Sequence, residues 1–269
     1  MTKNIVLIDG SYFIFYRYYA LLQWWNISKQ EPLLTNPFEN DRFIYLYKAS
    51  FIKKIKEISK QLKIPNAIYI VGKDCPRETI WRHKYIENYK GERKQDIYIS
   101  HFFELVYNEK IFETSGISTI LSYPELEADD CIALTCKYIS HHYPEYNMYI
   151  IANDYDYIQV CNDKIQLYNL KYKKISPNTI EEAKKQLFCK IVMGDKSDNI
   201  SSIFPKCGIQ TAIKCYEDKD YFEKKNNTIS KQLYERNKKI IDFDEIPNEL
   251  SSGFFETRLQ SICAIINHR

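Results

Sequence analysis

The stretch that decides the fold is Ile5-Val6-Leu7-Ile8-Asp9, a short apolar run that ends in an acid. The pattern recurs at 67–71, followed by Asp74, and at 148–152, followed by Asp154 and Asp156. Segments with helical spacing, such as 43–62, separate the runs and predict an α/β fold with a central, mostly parallel sheet flanked by helices. Ligand sites form at the carboxyl ends of such strands, so we expect the acids to lie together. For any one Asp, a turn or helix-cap role is the alternative.

Length and composition favour one large domain, or a main domain with a smaller lobe. The chain has 269 residues, of which 45% are hydrophobic, so it can bury a sizeable core. From about Asn178 onward the pattern is mostly helical, which predicts a sheet domain over 1–177 and a helical lobe over 178–269. The net charge of +3 says little about partners, so a nucleic-acid surface must come from local clustering of charge.

None of the eight cysteines lies in a C-x-x-C pair or near a His at zinc-ligand spacing. We expect them to be buried, reduced thiols. The N-terminus shows no signal-peptide pattern, and no apolar run approaches the length of a membrane span. The sequence therefore predicts a soluble, intracellular protein with no membrane partner.

The densest cluster of acids is Leu126-Glu127-Ala128-Asp129-Asp130, which precedes an apolar helical run. Pro124 upstream supports a helix start at this point. Glu127 and Asp130 are three residues apart and share a helix face, whereas Asp129 points with them only in the looser geometry of a first turn. Acids at a helix N-terminus are also favoured by the helix dipole, by a few tenths to about 1 kcal/mol. That effect explains one or two of them.

Two more motifs enlarge the cluster, Asn153-Asp154-Tyr155-Asp156 and Gly194-Asp195-Lys196-Ser197-Asp198-Asn199-Ile200. The candidate metal ligands are Asp9, Asp74, Glu127, Asp129, Asp130, Asp154, Asp156, Asp195 and Asp198. Two like charges about 4 Å apart repel by roughly 4 kcal/mol at an effective dielectric near 20. Bound cations or protonation must therefore compensate them. Oxygen ligands without His or Cys favour Mg²⁺ or Mn²⁺, and two such ions can cleave a phosphodiester. Calcium storage is the competing use, but the chain has no EF-hand loop.

With these motifs the chain resembles the 5′ nuclease superfamily, which includes flap endonucleases, phage 5′ exonucleases and the 5′ nuclease domains of bacterial DNA polymerases. The resemblance runs from Asp9 to about Asp244 and also rests on Ile8-Asp9-Gly10-Ser11 and Tyr89-Lys90-Gly91-Glu92-Arg93. It implies a PIN-like catalytic core and a helical lobe. It also implies a first metal group of Asp9, Asp74, Glu127, Asp129 and Asp130, and a second group of Asp154, Asp156, Asp195 and Asp198. Asp74 departs from the family pattern, because Val71-Gly72-Lys73 separates it from its strand.

Residues 81–94 mix basic and aromatic side chains, a composition that favours either nucleic-acid binding or a solvated helix face. By resemblance, Lys90 and Arg93 would act on the scissile phosphate, Tyr89 would stack near it, and Arg82 would bind DNA. Phe15 or Tyr16 would stack on the terminal base pair, a core position being the alternative. The arch or clamp of the family would span about 82–115.

Downstream of Asp198, residues 194–215 resemble the helix-hairpin-helix-like motif through which the family binds duplex DNA. Gly208 is kept, but Lys206 replaces the first glycine of the turn and one residue is added. The resemblance implies a bound K⁺ at this turn. Lys206 could instead offer a side-chain charge to the duplex.

The resemblance implies a Mg²⁺- or Mn²⁺-dependent 5′-3′ exonuclease or flap endonuclease of DNA replication or repair. Its substrate would be DNA with a 5′ flap, nick, gap or free 5′ end, or an RNA primer. We expect a monomer that works alone or with a separate polymerase or replication factor. The alternatives are a PIN-type ribonuclease, which lacks the downstream lobe, and a non-catalytic structure-specific DNA-binding protein, which would have lost key acids.

Overall fold

A five-stranded parallel sheet forms the centre of the structure, a computed structural model that describes residues 3–30, 34–92 and 96–267. The strands are β1 (Lys3–Asp9), β2 (Ile68–Gly72), β3 (Thr119–Leu121), β4 (Tyr146–Ile151) and β5 (Ile165–Tyr168). The three strands predicted from apolar runs are confirmed as β1, β2 and β4. Two further strands, β3 with three residues and β5 with four, were not predicted.

The strand order, β3-β2-β1-β4-β5, fixes where a site can form. From β1, the chain adds β2 and β3 on one side and then β4 and β5 on the other. The order therefore reverses between β1 and β4, and the crevice outside their carboxyl ends is where open α/β sheets bind ligands. Asp9 ends β1 and Asp154 follows β4, so both border this crevice.

Helices cover both faces of the sheet. They are α1 (Gly10–Ile27), α2 (Asp41–Leu62), α3 (Ile99–Asn108), α4 (Ile111–Thr114), α5 (Ala128–His142), α6 (Ile180–Met193), α7 (Ile209–Glu217), α8 (Lys219–Lys225), α9 (Thr228–Ile241) and α10 (Asn248–Asn267). Alternate residues of β1 serve the two faces, because successive side chains of a strand point in opposite directions. Ile5 and Leu7 join a buried cluster with α5 and α10, and Val6 and Ile8 join one with α1, α2 and α3.

The C-terminal part of the chain differs from the predicted lobe of 178–269. Helices α6, α7 and α9 contribute to two small apolar clusters, which include Val192, Ala212 and Ile240, and residues of 75–89 join one of the two. Helix α10 instead returns to the sheet domain, where Phe254 and Ile262 join its main cluster. A parallel sheet needs both faces covered, and α10 supplies part of that cover.

The expected arch, residues 82–115, contains α3 and α4. Helix α3 packs against α1 through the cluster that also holds Val6 and Ile8.

Six of the eight cysteines are buried and all eight are free, as expected. Over the described ranges, no helix is both long enough and apolar enough to cross a membrane.

Candidate functional site

The first acid, Asp9, lies at the junction of β1 and α1. It caps the N-terminus of α1, where its Oδ1 accepts a hydrogen bond from the Tyr12 amide at 2.8 Å. Its Oδ2 accepts a bond from the buried Tyr157 hydroxyl at 2.9 Å. Burial, with the charge of Asp74 nearby, raises the pKa of Asp9 to about 7. The carboxyl group is therefore held in place but resists ionisation without a compensating cation.

Asp74 lies two residues beyond β2, where only its position predicted a role in the site. Its Oδ1 accepts a bond from the amide of Ala128, the first residue of α5, at 2.7 Å. Its Oδ2 accepts a bond from the Ser11 hydroxyl. These contacts hold Asp74 between the starts of α1 and α5, beside Asp9, although two residues separate it from Val71.

The start of α5 supplies the densest group of carboxylates, as its sequence suggested. Glu127 is the N-cap of the helix, and Asp129 and Asp130 lie in its first turn. Carboxylate oxygens of the three residues lie within 4.8 Å of one another, close enough to share a cation. The Asp130 amide donates to Asp129 Oδ1 at 2.7 Å, and the Glu127 amide donates to Asp130 Oδ2 at 3.1 Å. The first turn thus fixes the geometry of its own acids.

Arg82 occupies a buried position behind this turn and is only 3% exposed. Its Nη1 and Nη2 donate to Asp130 at 2.8 and 2.7 Å, and Nη1 also donates to Glu127 Oε2 at 2.9 Å. Its Nε donates to the Ile240 carbonyl at 2.9 Å. The expected contact of Arg82 with DNA is therefore corrected: burial and internal hydrogen bonds keep the guanidinium away from a DNA backbone.

Asp130 has a different environment from the other acids. It is fully buried and accepts four N–H bonds, from Trp81 Nε1 at 3.0 Å, from two nitrogens of Arg82 and from the Glu127 amide. Its distances to Glu127 and Asp129 would allow a shared cation, but both of its oxygens are already occupied. With both oxygens engaged, Asp130 is suited to hold Arg82 in place and not to bind a cation.

Tyr89 and Lys90 lie beside Glu127. The Tyr89 side chain is buried, and its hydroxyl donates to Glu127 Oε2 at 3.2 Å and to Asp198 Oδ2 at 3.3 Å. This burial corrects the expectation that Tyr89 stacks near the scissile phosphate, since its ring is not open to a base. Lys90 Nζ lies 2.5 Å from Glu127 Oε1 and neutralises it. Arg93, the other predicted catalytic residue, lies outside the described residues.

The second group of acids surrounds a lysine that the sequence analysis missed. Asp154 caps the 3₁₀ helix Tyr155–Val160 by accepting the Asp156 amide at 2.9 Å. Lys190 of α6 forms an ion pair with Asp156 and another with Asp195, the latter at 3.0 Å. Lys190 belongs to no motif, and its sequence environment is that of an ordinary amphipathic helix. Only the packing of α6 against the 3₁₀ helix shows that it lies in the site.

The electrostatics of the two groups fit hard cations. Burial raises the pKa of Asp129, and neighbouring acids raise it further; burial and Asp154 raise the pKa of Asp156 to about 6. Burial would also raise the pKa of Glu127, but Lys90 and Arg82 beside it lower it overall. The donors that face the crevice are carboxylate oxygens, the ligands that Mg²⁺ and Mn²⁺ prefer. Divalent cations would offset the burial and the repulsion that raise the pKa of these carboxyl groups.

Phe15, a predicted DNA contact, lies on the outer face of α1 and is 39% exposed. Its ring is nearly parallel to that of Tyr19, with centroids 6.3 Å apart, and meets Phe103 of α3 edge-on. Tyr16, the alternative contact, is only partly exposed and packs against Tyr12. Of the two candidates, Phe15 offers the more accessible ring.

Lys206 and Gly208 lie in the connection between α6 and α7. Lys206 is exposed and has a positive φ of 52°, the conformation that the missing glycine would adopt without strain. Gly208 caps α7 with a φ of −105°, and a Cβ at this position would meet no atom within 4 Å. The packing of the protein itself therefore does not require glycine at position 208. Duplex binding at residues 194–215 stays a prediction.

Comparisons with known proteins agree on one family. The family model described as "5'-3' exonuclease, N-terminal resolvase-like domain" matches residues 4–187. A 5'-3' exonuclease of Buchnera aphidicola subsp. Acyrthosiphon pisum (strain APS) is 29% identical over 271 residues, covering 97% of this chain and 87% of that protein. A solved structure of T5 D15 protein co-crystallised with metal ions superposes with a TM-score of 0.66 at 18% identity, covering 96% of this chain and 99% of the other. A complex of T5 D15 flap endonuclease with DNA and metal ions gives a TM-score of 0.63 at 17% identity, with the same coverage. At these identities the two structures show a shared fold.

Proposed function

Because this chain belongs to the 5′-3′ exonuclease family, whose model matches residues 4–187, we propose that it hydrolyses phosphodiester bonds at 5′ ends of DNA with divalent cations. One observation supports this proposal most strongly. Acids from four separate parts of the chain, at the end of β1, after β2, at the start of α5 and after β4, converge at the carboxyl edge of one sheet. Such a set of carboxylates suits metal-assisted phosphodiester cleavage.

The proposed cation ligands fall into the two groups described above. The first comprises Asp9, Asp74, Glu127 and Asp129, and the second Asp154, Asp156, Asp195 and Asp198. Mg²⁺ or Mn²⁺ bound there would polarise the scissile phosphate and lower the pKa of a bound water. Asp130 would position Arg82 and Glu127.

Two lysines would change partners in the reaction. Lys90 now neutralises Glu127, and Lys190 neutralises Asp156 and Asp195. In the loaded site, each ammonium group would be free to donate to phosphate oxygens, where it would stabilise developing negative charge. Arg93 stays a predicted partner of Lys90 in this role.

The substrate class proposed is DNA with a 5′ flap, nick, gap or free end, cleaved in replication or repair. Phe15 is exposed and would stack on the end of the duplex, while Lys206 and Gly208 would approach its backbone. The proposal also includes a K⁺ ion at the turn around Lys206 and Gly208 and an RNA primer as an additional substrate. The protein would act as a monomer beside a separate polymerase.

Cleavage of a labelled 5′-flap DNA in Mg²⁺ tests this function. Asp129→Asn and Asp154→Asn each remove one proposed ligand, and we expect turnover to fall by at least 100-fold in both. Asp163→Asn, which changes an exposed acid in the turn before β5 and outside both groups of acids, is the control and should cleave like wild type. Near wild-type cleavage by both variants would refute the assignment of Asp129 and Asp154 as cation ligands.

The same assay separates the alternatives. Labelling the flap at its 5′ and then at its 3′ end maps the cleaved bond and distinguishes exonuclease from endonuclease products. Preferential cleavage of a matched RNA flap would favour a PIN-type ribonuclease. Tight flap binding without turnover in Mg²⁺ or Mn²⁺ would favour a non-catalytic DNA-binding protein.

A further inference from the structure

A cavity of about 660 Å³ opens directly beside the second group of acids. It lies between the 3₁₀ helix Tyr155–Val160, α6 and α7. Its apolar lining includes Ile158, Ala183, Leu187, Met193, Ile209 and Ile213. Asp156, Lys190 and Asp195 border it as well, so the cavity and the proposed cation site share one wall. Its volume falls in the range of about 300–1,000 Å³ that is usual for small-molecule pockets.

Two large apolar side chains at this cavity are exposed to solvent. Tyr155 is 64% exposed, although it lies between the proposed ligands Asp154 and Asp156. Ile209, the first residue of α7, is 49% exposed on another wall of the cavity. Exposed apolar surface grouped around a cavity is typical of a binding site.

Three acids, Asp156, Glu182 and Asp195, and three lysines, Lys185, Lys190 and Lys196, line the cavity. With divalent cations bound to the proposed ligands among these acids, the lining suits a ligand that is anionic at one end and apolar at the other. Lys196 is exposed on the lining, and within the described ranges it forms no ion pair. On the side of the acids, divalent cations would supply further positive charge. A nucleotide has these properties, because its phosphate is anionic and its base presents an apolar face that stacks on aromatic rings.

We infer that this cavity receives one nucleoside of the cleaved strand, adjacent to the scissile phosphate, with its base stacked on Tyr155. The inference rests on the proposed function, which places the scissile phosphate between the two groups of acids. The nucleosides on either side of that phosphate must lie within a few ångströms of it, since the strand advances about 3.4 Å per nucleotide. The wall that the cavity shares with Asp156 and Asp195 meets this requirement. Lys196, exposed on the lining, would then be available to the next backbone phosphate.

A cycle between protein and DNA variants tests the stacking directly. Binding of a fluorescent 5′-flap DNA is measured by anisotropy in Ca²⁺, with flaps that carry one abasic residue at successive positions around the junction. For Tyr155→Ala we expect binding of the intact flap to weaken about tenfold, whereas Tyr155→Phe should bind like wild type, since stacking does not use the hydroxyl. At one position, the abasic residue should weaken binding by the wild-type protein to a similar extent. The same abasic residue should hardly weaken binding by Tyr155→Ala any further. That position identifies the stacked nucleoside.

Tyr45→Ala is the matched control, because Tyr45 is 70% exposed on α2 and lies outside the cavity. It should bind every flap like wild type. Unchanged binding of the intact flap by Tyr155→Ala would overturn the inference and leave an apolar segment of another protein as the occupant. Equal abasic penalties in wild type and Tyr155→Ala at every position would also overturn it. Because binding is measured without turnover, a flap that binds but is not cleaved in Mg²⁺ counts against the proposed function and not against the stacking.

Discussion

Replacing Arg82 with methionine would leave two buried carboxylates without the guanidinium that neutralises them. Asp130 is fully buried and would lose two of its four hydrogen bonds, and Glu127 Oε2 would lose its bond at 2.9 Å. Removing one partner of a buried ion pair costs about 3–5 kcal/mol, because the other charge stays buried. We expect the free energy of unfolding of Arg82→Met to fall by about that amount.

A second substitution, Asp130→Asn, should change the free energy of unfolding in opposite directions with and without Arg82. Asp130→Asn should destabilise the wild-type protein, since Arg82 then loses its bidentate charged partner and keeps only Glu127. In the Arg82→Met background, the same change should stabilise the protein, because it removes an uncompensated buried charge. The coupling between the two positions should be about 0.5–3 kcal/mol.

Urea unfolding of the four proteins in EDTA, followed by circular dichroism, measures the cycle. Lys84→Met is the control, since Lys84 forms an exposed ion pair with Glu125 at 2.7 Å, and it should change stability little. If Asp130→Asn destabilised both backgrounds equally, Arg82 and Asp130 would not act as a pair and the argument from burial would be refuted.

Two further predictions concern the site and the segment after α6. Without divalent cations, thermal stability should fall as pH rises from about 4 to 7, because folded Asp9 keeps a proton up to a pKa of about 7 that the unfolded chain releases near 3.8. Scanning calorimetry in EDTA should show this loss, and Mg²⁺ should reverse it. Asp9→Asn should weaken the loss without abolishing it, since the pKa values of Asp129 and Asp156 are raised as well. A pH-independent midpoint in EDTA would contradict the effect. Gly208→Ala should fold like wild type but bind duplex DNA more weakly, whereas Gly194→Ala should unfold at lower temperature, because Gly194 has a φ of 69° and its Cβ would lie 2.3 Å from the Ile200 carbonyl oxygen. Equal melting temperatures for the two glycine variants would refute that contrast.

The sequence predicted the elements whose signal is local. Strands β1, β2 and β4 are continuous apolar runs, and the start of α5 follows Pro124 and a cluster of acids. Strand β3 has three residues and β5 four, which is too short for periodicity to identify. Helix α10 falls within the predicted C-terminal lobe but packs on the sheet, a contact that a helical pattern alone does not show.

The candidate site shows the same limit for side chains. Arg82 and Tyr89 lie in a stretch rich in basic and aromatic residues, a composition that suits a DNA surface and an interior ion-pair network equally well. Tertiary packing decides between them, and it buries both residues. Lys190 shows the converse, since a lysine on a helix acquires a role only through the acids that the fold brings to it.

The bond from Arg82 Nε to the Ile240 carbonyl has a consequence for how the molecule is made. Its two ends are 158 residues apart in the chain. At a synthesis rate of about 5–20 residues per second, Ile240 leaves the ribosome roughly 10–30 s after Arg82. During that interval the guanidinium lacks one of its fixed acceptors, and the acids beside it lack their final support. The carboxylates at the start of α5 are therefore synthesised well before α9, which carries Ile240. We expect the nuclease to acquire its final arrangement of acids only after α9 has been made.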